Sequence, residues 1–349
     1  IGRHNSCDFV VNSPSVSNMH CCLEPVSTSA GHFFVVLKDH SANGTIVDGH
    51  KVPRESWIRL FSGSCIRISK SDEFIFNYPS ADTNGAFKAN FALAATLGSG
   101  THAEVKTAVC RTTLQPYAVK IFHKRPVNQF KAKSSIDVMN EVHDLAVVKH
   151  RNILRIFSYF EEPEDRFLVL ELAAGGDLFE YITAKKTLSE KETRAVLFQI
   201  AAGLQCLHSH KIIHRDIKPE NILLMKPGSV THIKLADFEM AKIIGEKSFT
   251  TTLCGTPSYV APEIIDPGDR KYSYQVDIWS TGVVTYLCLF GHLPFSENNN
   301  IAPLAHQIRN GLVVFPEKAN SVPCSLISSM LKVDPKSRIT VEKIMQHVW

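Results

Sequence analysis

Apolar positions fall in short runs along residues 1–80 and in longer, helix-spaced patterns along the second half of the chain. Residues 33–37 (Phe-Phe-Val-Val-Leu), 45–47 (Thr-Ile-Val) and 65–68 (Cys-Ile-Arg-Ile) read as strands. Asn43-Gly44 and Asp48-Gly49 read as tight turns, because both pairs tolerate positive φ. Little here is helical, so the region predicts an all-β sandwich. Residues 81–90 are small, polar and glycine-containing, which suits a short linker. From Phe91 the texture changes. Strand patterns occupy about 91–123 and 153–171, and helical patterns follow at 190–209, 276–289 and 303–309. That order predicts a small β-rich lobe followed by a larger helical lobe. No internal repeat or low-complexity tract interrupts it.

A chain of 349 residues suggests two domains, and 44% hydrophobic with 21% charged residues describes an ordinary globular composition. A net charge of +4, without basic runs interleaved with aromatics, argues against direct nucleic-acid binding. The nine cysteines are scattered with no C-x-x-C pair, which favours reduced thiols in a nuclear or cytosolic protein. The most apolar stretch, 282–295, carries His292 and Pro294 and is shorter than the ~20 residues of a membrane span. It reads as a buried helix followed by a loop. No signal peptide is visible. The chain starts at Ile1 without methionine and ends at Trp349 just after a helical pattern, as a fragment does.

The stretch His214-Arg215-Asp216-Ile217-Lys218-Pro219-Glu220-Asn221 places a candidate base, an ammonium and an amide close together. Asp216 can accept the proton of a substrate hydroxyl, and Asn221 can hold a magnesium ion bridging ATP phosphates. The stretch resembles the protein-kinase catalytic loop, and further kinase parts follow in order. Leu97-Gly98-Ser99-Gly100-Thr101-His102-Ala103-Glu104-Val105 resembles the glycine-rich loop, with Gly98, Gly100 and Val105 matching and Ala103 in place of the third glycine. Tyr117-Ala118-Val119-Lys120 resembles the strand whose lysine contacts the α- and β-phosphates. Glu141, on a helical segment at 138–149, is the implied ionic partner of Lys120. Residues 167–173 resemble the strand entering the hinge. That implies Leu170 as gatekeeper and the backbone of Glu171 to Ala173 against adenine. Ala118 and Leu223 join the implied nucleotide contacts. Asp177, after Gly175-Gly176, is placed to meet the ribose or a basic substrate residue.

Asp237-Phe238-Glu239 occupies the D-F-G position, where the aspartate chelates magnesium. Glu239 departs from the pattern. A side chain where glycine is usual costs roughly 1–2 kcal/mol if a left-handed backbone is needed. A second carboxylate there can also compete for metal or repel ATP. Ala261-Pro262-Glu263 closes the segment. Within it, Thr252 and Thr256 are candidate phosphorylation sites: a phosphate on Thr252 would pair with Arg215, and Thr256 braces Asp216 and Lys218. Lys218 with Gly255-Thr256-Pro257 resembles serine/threonine rather than tyrosine kinases. Asp277 looks like the buried support of the catalytic loop, and Arg338 like the structural partner of Glu263. Glu220 and Asp177 near the peptide groove favour arginine before the acceptor.

In the first region, Gly2-Arg3, Ser17-Asn18-Met19-His20 and Asn43-Gly44-Thr45 resemble in order and spacing the forkhead-associated (FHA) domain. The resemblance implies an eleven-stranded sandwich that binds phosphothreonine through its loops. Arg3 would fork onto the phosphate, Ser17 and Asn18 would add hydrogen bonds, and Asn43 would clamp the ligand backbone. His20 is expected to hold the loop, and the first strand is expected to be missing. The resemblance covers FHA at 1–80, a linker at 81–90 and a kinase at 91–349. That order is similar to FHA-containing checkpoint kinases of the DNA-damage and meiotic branches. It implies ATP and magnesium as cofactors, substrates with basic residues before Ser or Thr, and a nuclear location. It also implies a phosphothreonine-bearing adaptor or sister kinase as partner and a transient homodimer that phosphorylates itself in trans. Two functions stay open: an active kinase, or a phosphothreonine-binding scaffold with a kinase fold impaired by Glu239.

Overall fold

The structure, a computed structural model, describes residues 1–27, 33–60, 64–76, 87–99, 103–123, 148–237, 242–243, 257–265, 273–299 and 302–349. The chain divides into two compact units. One holds Ile1–Phe130 and Ile156–Leu172, the other Lys131–Arg155 and Ala173–Trp349.

The N-terminal region is a sandwich of two antiparallel sheets. One has the order β1 (Cys21–Ser27), β2 (Phe33–Asp39), β5 (Trp57–Arg59). The other runs β4 (His50–Lys51), β3 (Ile46–Val47), β6 (Cys65–Arg67), β7 (Glu73–Ile75). These seven strands are those of the described residues, against the eleven that the resemblance implies. Leu37 from the first sheet meets Val47 and Ile66 from the second, with Val16, Leu60 and Ile68 completing a core at 2% exposure or less. The Asp48-Gly49 turn has φ of 51° and 81°, the left-handed pair that a two-residue hairpin requires. It pairs Ile46 with Lys51. Asn43-Gly44, by contrast, lies in a loop rather than a hairpin turn, stapled by the buried Asp39 carboxylate. That carboxylate accepts from Ser41 Oγ (2.7 Å) and Thr45 Oγ1 (2.6 Å).

The small lobe is a five-stranded antiparallel sheet, ordered β11 (Ile156–Glu161), β12 (Asp165–Leu170), β10 (Pro116–His123), β9 (Glu104–Cys110), β8 (Phe91–Ser99). Phe91, Tyr117, Val119, Ile121, Phe160 and Phe167 build its core. Phe87 to Asn90 correct the linker boundary. They form a helical turn, α1 (Phe87–Asn90), and Phe87 is fully buried in this core. Its ring stacks on Phe167 at 4.1 Å, and its N–H donates to Glu162 at 2.9 Å. Residues 81–86 lie outside the described residues.

The second unit carries α2 (Leu178–Lys185), α3 (Glu190–Ser209), α4 (Pro262–Ile265), α5 (Gln275–Phe290), α6 (Leu304–Asn310), α7 (Ser321–Met330) and α8 (Val341–Met345). Strands β14 (Ile222–Lys226) and β15 (Ser229–Leu235) form a hairpin in which β15 packs on α3 and β14 meets α2. Strand β13 (Ile212–Ile213) pairs with β16 (Lys242–Ile243). The α3 start is set by a capping box, in which Ser189 and Glu192 satisfy each other's orphan N–H groups. Helix α5 is buried from Val276 through Cys288, and a helix apolar on all sides belongs at the centre of a domain. Among the described residues no helix is long and apolar enough to cross a membrane.

Candidate active site and phosphopeptide site

The loop after β13 is held from below. Asp277, in the first turn of α5 and 1% exposed, accepts from the backbone N–H groups of His214 (3.0 Å) and Arg215 (2.8 Å). His208 Nε2 donates to the same carboxylate at 2.9 Å. His214 is fully buried, and its Nδ1 accepts from the Asp216 N–H at 3.3 Å. Its Nε2 therefore carries the proton and donates to Ala236 O at 3.0 Å. Burial lowers the His214 pKa. A histidine kept neutral in this way stabilises the fold fully above its unfolded pKa, near 6.5, and loses that contribution as pH falls below it. We expect the unfolding temperature to drop as pH is lowered through that value. We expect a His214→Phe variant, measured by calorimetry, to show a shallower acid slope.

These anchors leave the reactive groups aimed. Asn221 Nδ2 donates to both Asp216 O and Asp216 Oδ2, each at 2.8 Å, and Lys218 Nζ pairs with Oδ2 at 2.8 Å. Two donors thus fix one carboxylate oxygen of Asp216, and the other remains to accept a hydroxyl proton. With its amide nitrogen so engaged, Asn221 has a side-chain oxygen that could take a cation. The Ala236 N–H donates to Asn221 O at 2.9 Å, so Asp237 follows directly beside it. Arg215 (φ 70°) and Asp237 (φ 62°) both hold left-handed backbone, which costs a side-chain-bearing residue about 1–3 kcal/mol and clusters at working sites.

On the small lobe, register places Gly98 opposite Val105, Val105 opposite Lys120 and Lys120 opposite Leu168, one row across four strands. Ala118 pairs with Leu170 two positions along the same face. Leu97, Gly98, Val105, Ala118 and Lys120 are thereby gathered on one sheet, while Val119 and Ile121 turn into the core. In the second unit, Gly175 must lack a side chain: a Cβ there would lie 2.5 Å from Leu224 O and 2.6 Å from Lys226 O. That closeness brings Asp177 into a bridge with Leu223. Asp177 also caps α2, accepting from the Glu180 N–H at 2.8 Å through one oxygen. Glu171 is buried at 4%, and Ala173 opens the second segment of the second unit. Gly100, Glu141, Glu239, Thr252 and Thr256 lie outside the described residues. Arg338, 3% exposed, makes a two-pronged pair with Glu263 at 2.9 and 3.0 Å, as expected.

The sandwich presents its own set. Arg3 Nη2 donates to Asn18 Oδ1 at 3.4 Å, and both side chains are exposed. Ser17 Oγ accepts from the Ala42 N–H at 3.1 Å, which leaves its hydroxyl proton to donate outward. Asn43 Nδ2 donates to Ser15 O at 2.9 Å. His20 is buried and its Nδ1 accepts from the Ser17 N–H at 3.1 Å, which holds the loop.

A protein kinase domain model matches residues 91–349, and an FHA domain model matches residues 1–69. The chain belongs to the FHA-containing serine/threonine protein kinases. It is 32% identical over its whole length to the DNA damage response protein kinase DUN1 of Saccharomyces cerevisiae, covering 82% of that protein. It is 34% identical to the probable serine/threonine-protein kinase fhkC of Dictyostelium discoideum, of which it spans 61%. The crystal structure of Rad53 1-466 in complex with AMP-PNP matches with a TM-score of 0.64 at 32% identity, covering all of this chain and 90% of that one. Within this kinase fold, sequence patterns missed His208 and Asn152. Asn152 Nδ2 ties Gln199 (3.1 Å) to Ile233 O (2.9 Å), bracing β15 behind Asp237. Neither residue sits in a contiguous motif; only their polar character among apolar neighbours marks them.

Proposed function

We propose that this chain is an active kinase that transfers the γ-phosphate of ATP to serine or threonine in protein substrates with basic residues before the acceptor. The observation that carries this is the doubly held Asp216 carboxylate, with one oxygen fixed by Lys218 and Asn221. Asp216 orients the hydroxyl and takes its proton, while Lys218 and Lys120 offset phosphate charge. Asn221 and Asp237 supply hard oxygen donors of the kind magnesium takes, and magnesium completes its shell with substrate phosphates rather than an all-protein cage. Bound magnesium would neutralise charge on the β- and γ-phosphates. Glu220 and Asp177 supply negative charge for an arginine of the substrate.

The FHA domain would recruit the kinase to a phosphothreonine on an adaptor or sister kinase, in nuclear DNA-damage or meiotic checkpoint signalling. Trans-phosphorylation at Thr252 or Thr256 within a transient homodimer would then switch it on. Loss of the Arg3 fork in Arg3→Ala is expected to weaken binding of a phosphothreonine peptide about 10–100-fold, read by fluorescence anisotropy.

The kinase test is phosphate transfer from magnesium ATP to an Arg-x-x-Thr peptide. Glu239 supports one second reading, a phosphothreonine-binding scaffold with an impaired kinase. If glutamate in place of the usual glycine slows turnover, Glu239→Gly raises it. No transfer by the unaltered chain, even after an upstream kinase has modified the loop, would overturn the active-kinase proposal and leave the scaffold.

A further inference from the structure

The phosphopeptide rim carries a second cation that the FHA pattern does not assign. Lys51 closes the β3–β4 hairpin, and the left-handed Asp48-Gly49 turn sets its register opposite Ile46. The hairpin is fixed at its tip, since the Asp48 carboxylate accepts from the Cys65 N–H at 2.8 Å and from Ser64 Oγ at 3.2 Å. At its other end, the Val52 N–H donates to Thr45 O at 2.8 Å. Lys51 is exposed and has little freedom to leave its face of the hairpin at the backbone level.

Its side chain lies across Gly44. A Cβ at Gly44 would meet Lys51 Cε and come within 3.1 Å of Nζ. Gly44 also holds φ at 92°, and that left-handed backbone is what keeps this position bare, since the flexible end of Lys51 could move aside. Gly44 follows Asn43, the clamp residue. The rim therefore runs continuously from Arg3 through Asn18, Ser17 and Asn43 to Lys51. Of the nearby carboxylates, Asp39 is buried and taken by Ser41 and Thr45, and Asp48 is taken by Ser64 and Cys65. Among the described residues Lys51 joins no ion pair.

We propose that Lys51 is a specificity-determining residue of the phosphopeptide site, contacting an acidic side chain of the ligand on the Asn43 side of the phosphothreonine. The physical basis is charge complementarity at a rim. Arg3 takes the phosphate at one end, and an ammonium on a flexible stem at the other end pairs with a carboxylate without needing a forked geometry. The proposal rests on the phosphothreonine reading above.

The test uses the full chain and an alanine-rich phosphothreonine peptide, with a series carrying one glutamate at each of the neighbouring positions. Binding is measured by fluorescence anisotropy at low and high salt. At one or two positions glutamate is expected to tighten binding about 3–10-fold, with the gain shrinking in salt. Lys51→Met keeps the apolar stem over Gly44. It is expected to abolish that gain while binding of the all-alanine peptide stays within about twofold. A glutamate preference that survives Lys51→Met, or the absence of any preference in the unaltered chain, overturns the proposal. So does equal weakening of neutral and acidic peptides by Lys51→Met, which would place the residue on the phosphate or in the loop's framework. Failure of the phosphothreonine reading looks different. The unaltered chain would then bind phosphorylated and unphosphorylated peptides alike, and both proposals would fall.

Discussion

Asp216→Ala is expected to lower phosphate transfer by about 10²–10⁴-fold, the range for loss of a positioned general base. The fold should survive the change. Asn221 Nδ2 keeps its bond to the Asp216 backbone carbonyl, and His214 and Arg215 stay clamped by Asp277. The unfolding temperature should therefore move by only a few degrees while turnover collapses. The loss should fall mainly on kcat, since in the proposed mechanism the carboxylate meets the reacting hydroxyl and not the nucleotide. Lys218→Ala should cost less, because Asn221 still holds Oδ2. A variant at Asp216 with turnover near that of the unaltered chain would show that the hydroxyl is activated elsewhere.

Breaking the Arg338–Glu263 pair is the largest expected loss of stability. The Arg338 side chain is wholly buried, and its guanidinium donates to Glu263, to Lys332 O and to Gln275 O while lying 5.2 Å over the Trp279 ring. Arg338→Met leaves the Glu263 carboxylate without its countercharge and several carbonyls without donors. One-sided removal of a buried pair costs about 3–5 kcal/mol. For a domain of this size that lowers the unfolding temperature by about 10 °C. Adding Glu263→Gln should restore part of it, since the stranded charge rather than the lost attraction is the larger cost. Calorimetry of the single and double variants decides this. A drop under about 2 °C in Arg338→Met would mean that the pair is idle.

The catalytic loop was legible because its chemistry is contiguous: eight neighbouring residues hold the base, the lysine and the amide, and local turns bring them together. The long helix 190–209 was legible from its helix-spaced apolar positions, and the structure adds the capping box of Ser189 and Glu192 that fixes its start. Helix α7 was not, since Pro323 in its first turn reads as a breaker although the first turn lacks the hydrogen bonds proline would remove. Strands of two or three residues, such as β4 and β5, carry too few positions to show alternation. His208 stayed hidden because its partner Asp277 is distant in sequence, so only folding reveals the pair. Phe87 was placed in a linker because one aromatic among small polar residues has no period to read.

Phe87 also has a practical bearing on how this protein can be cut. The kinase family model begins at residue 91, yet the ring at position 87 fills the space between Phe91, Phe160 and Phe167. A catalytic fragment started at 91 would expose those three rings to water and lose the plug that seals them. Swapping the phosphopeptide module for another at that point would do the same harm. The working border for excision or exchange therefore lies before residue 87, and the residues just upstream of the strand are part of the enzyme rather than of its tether.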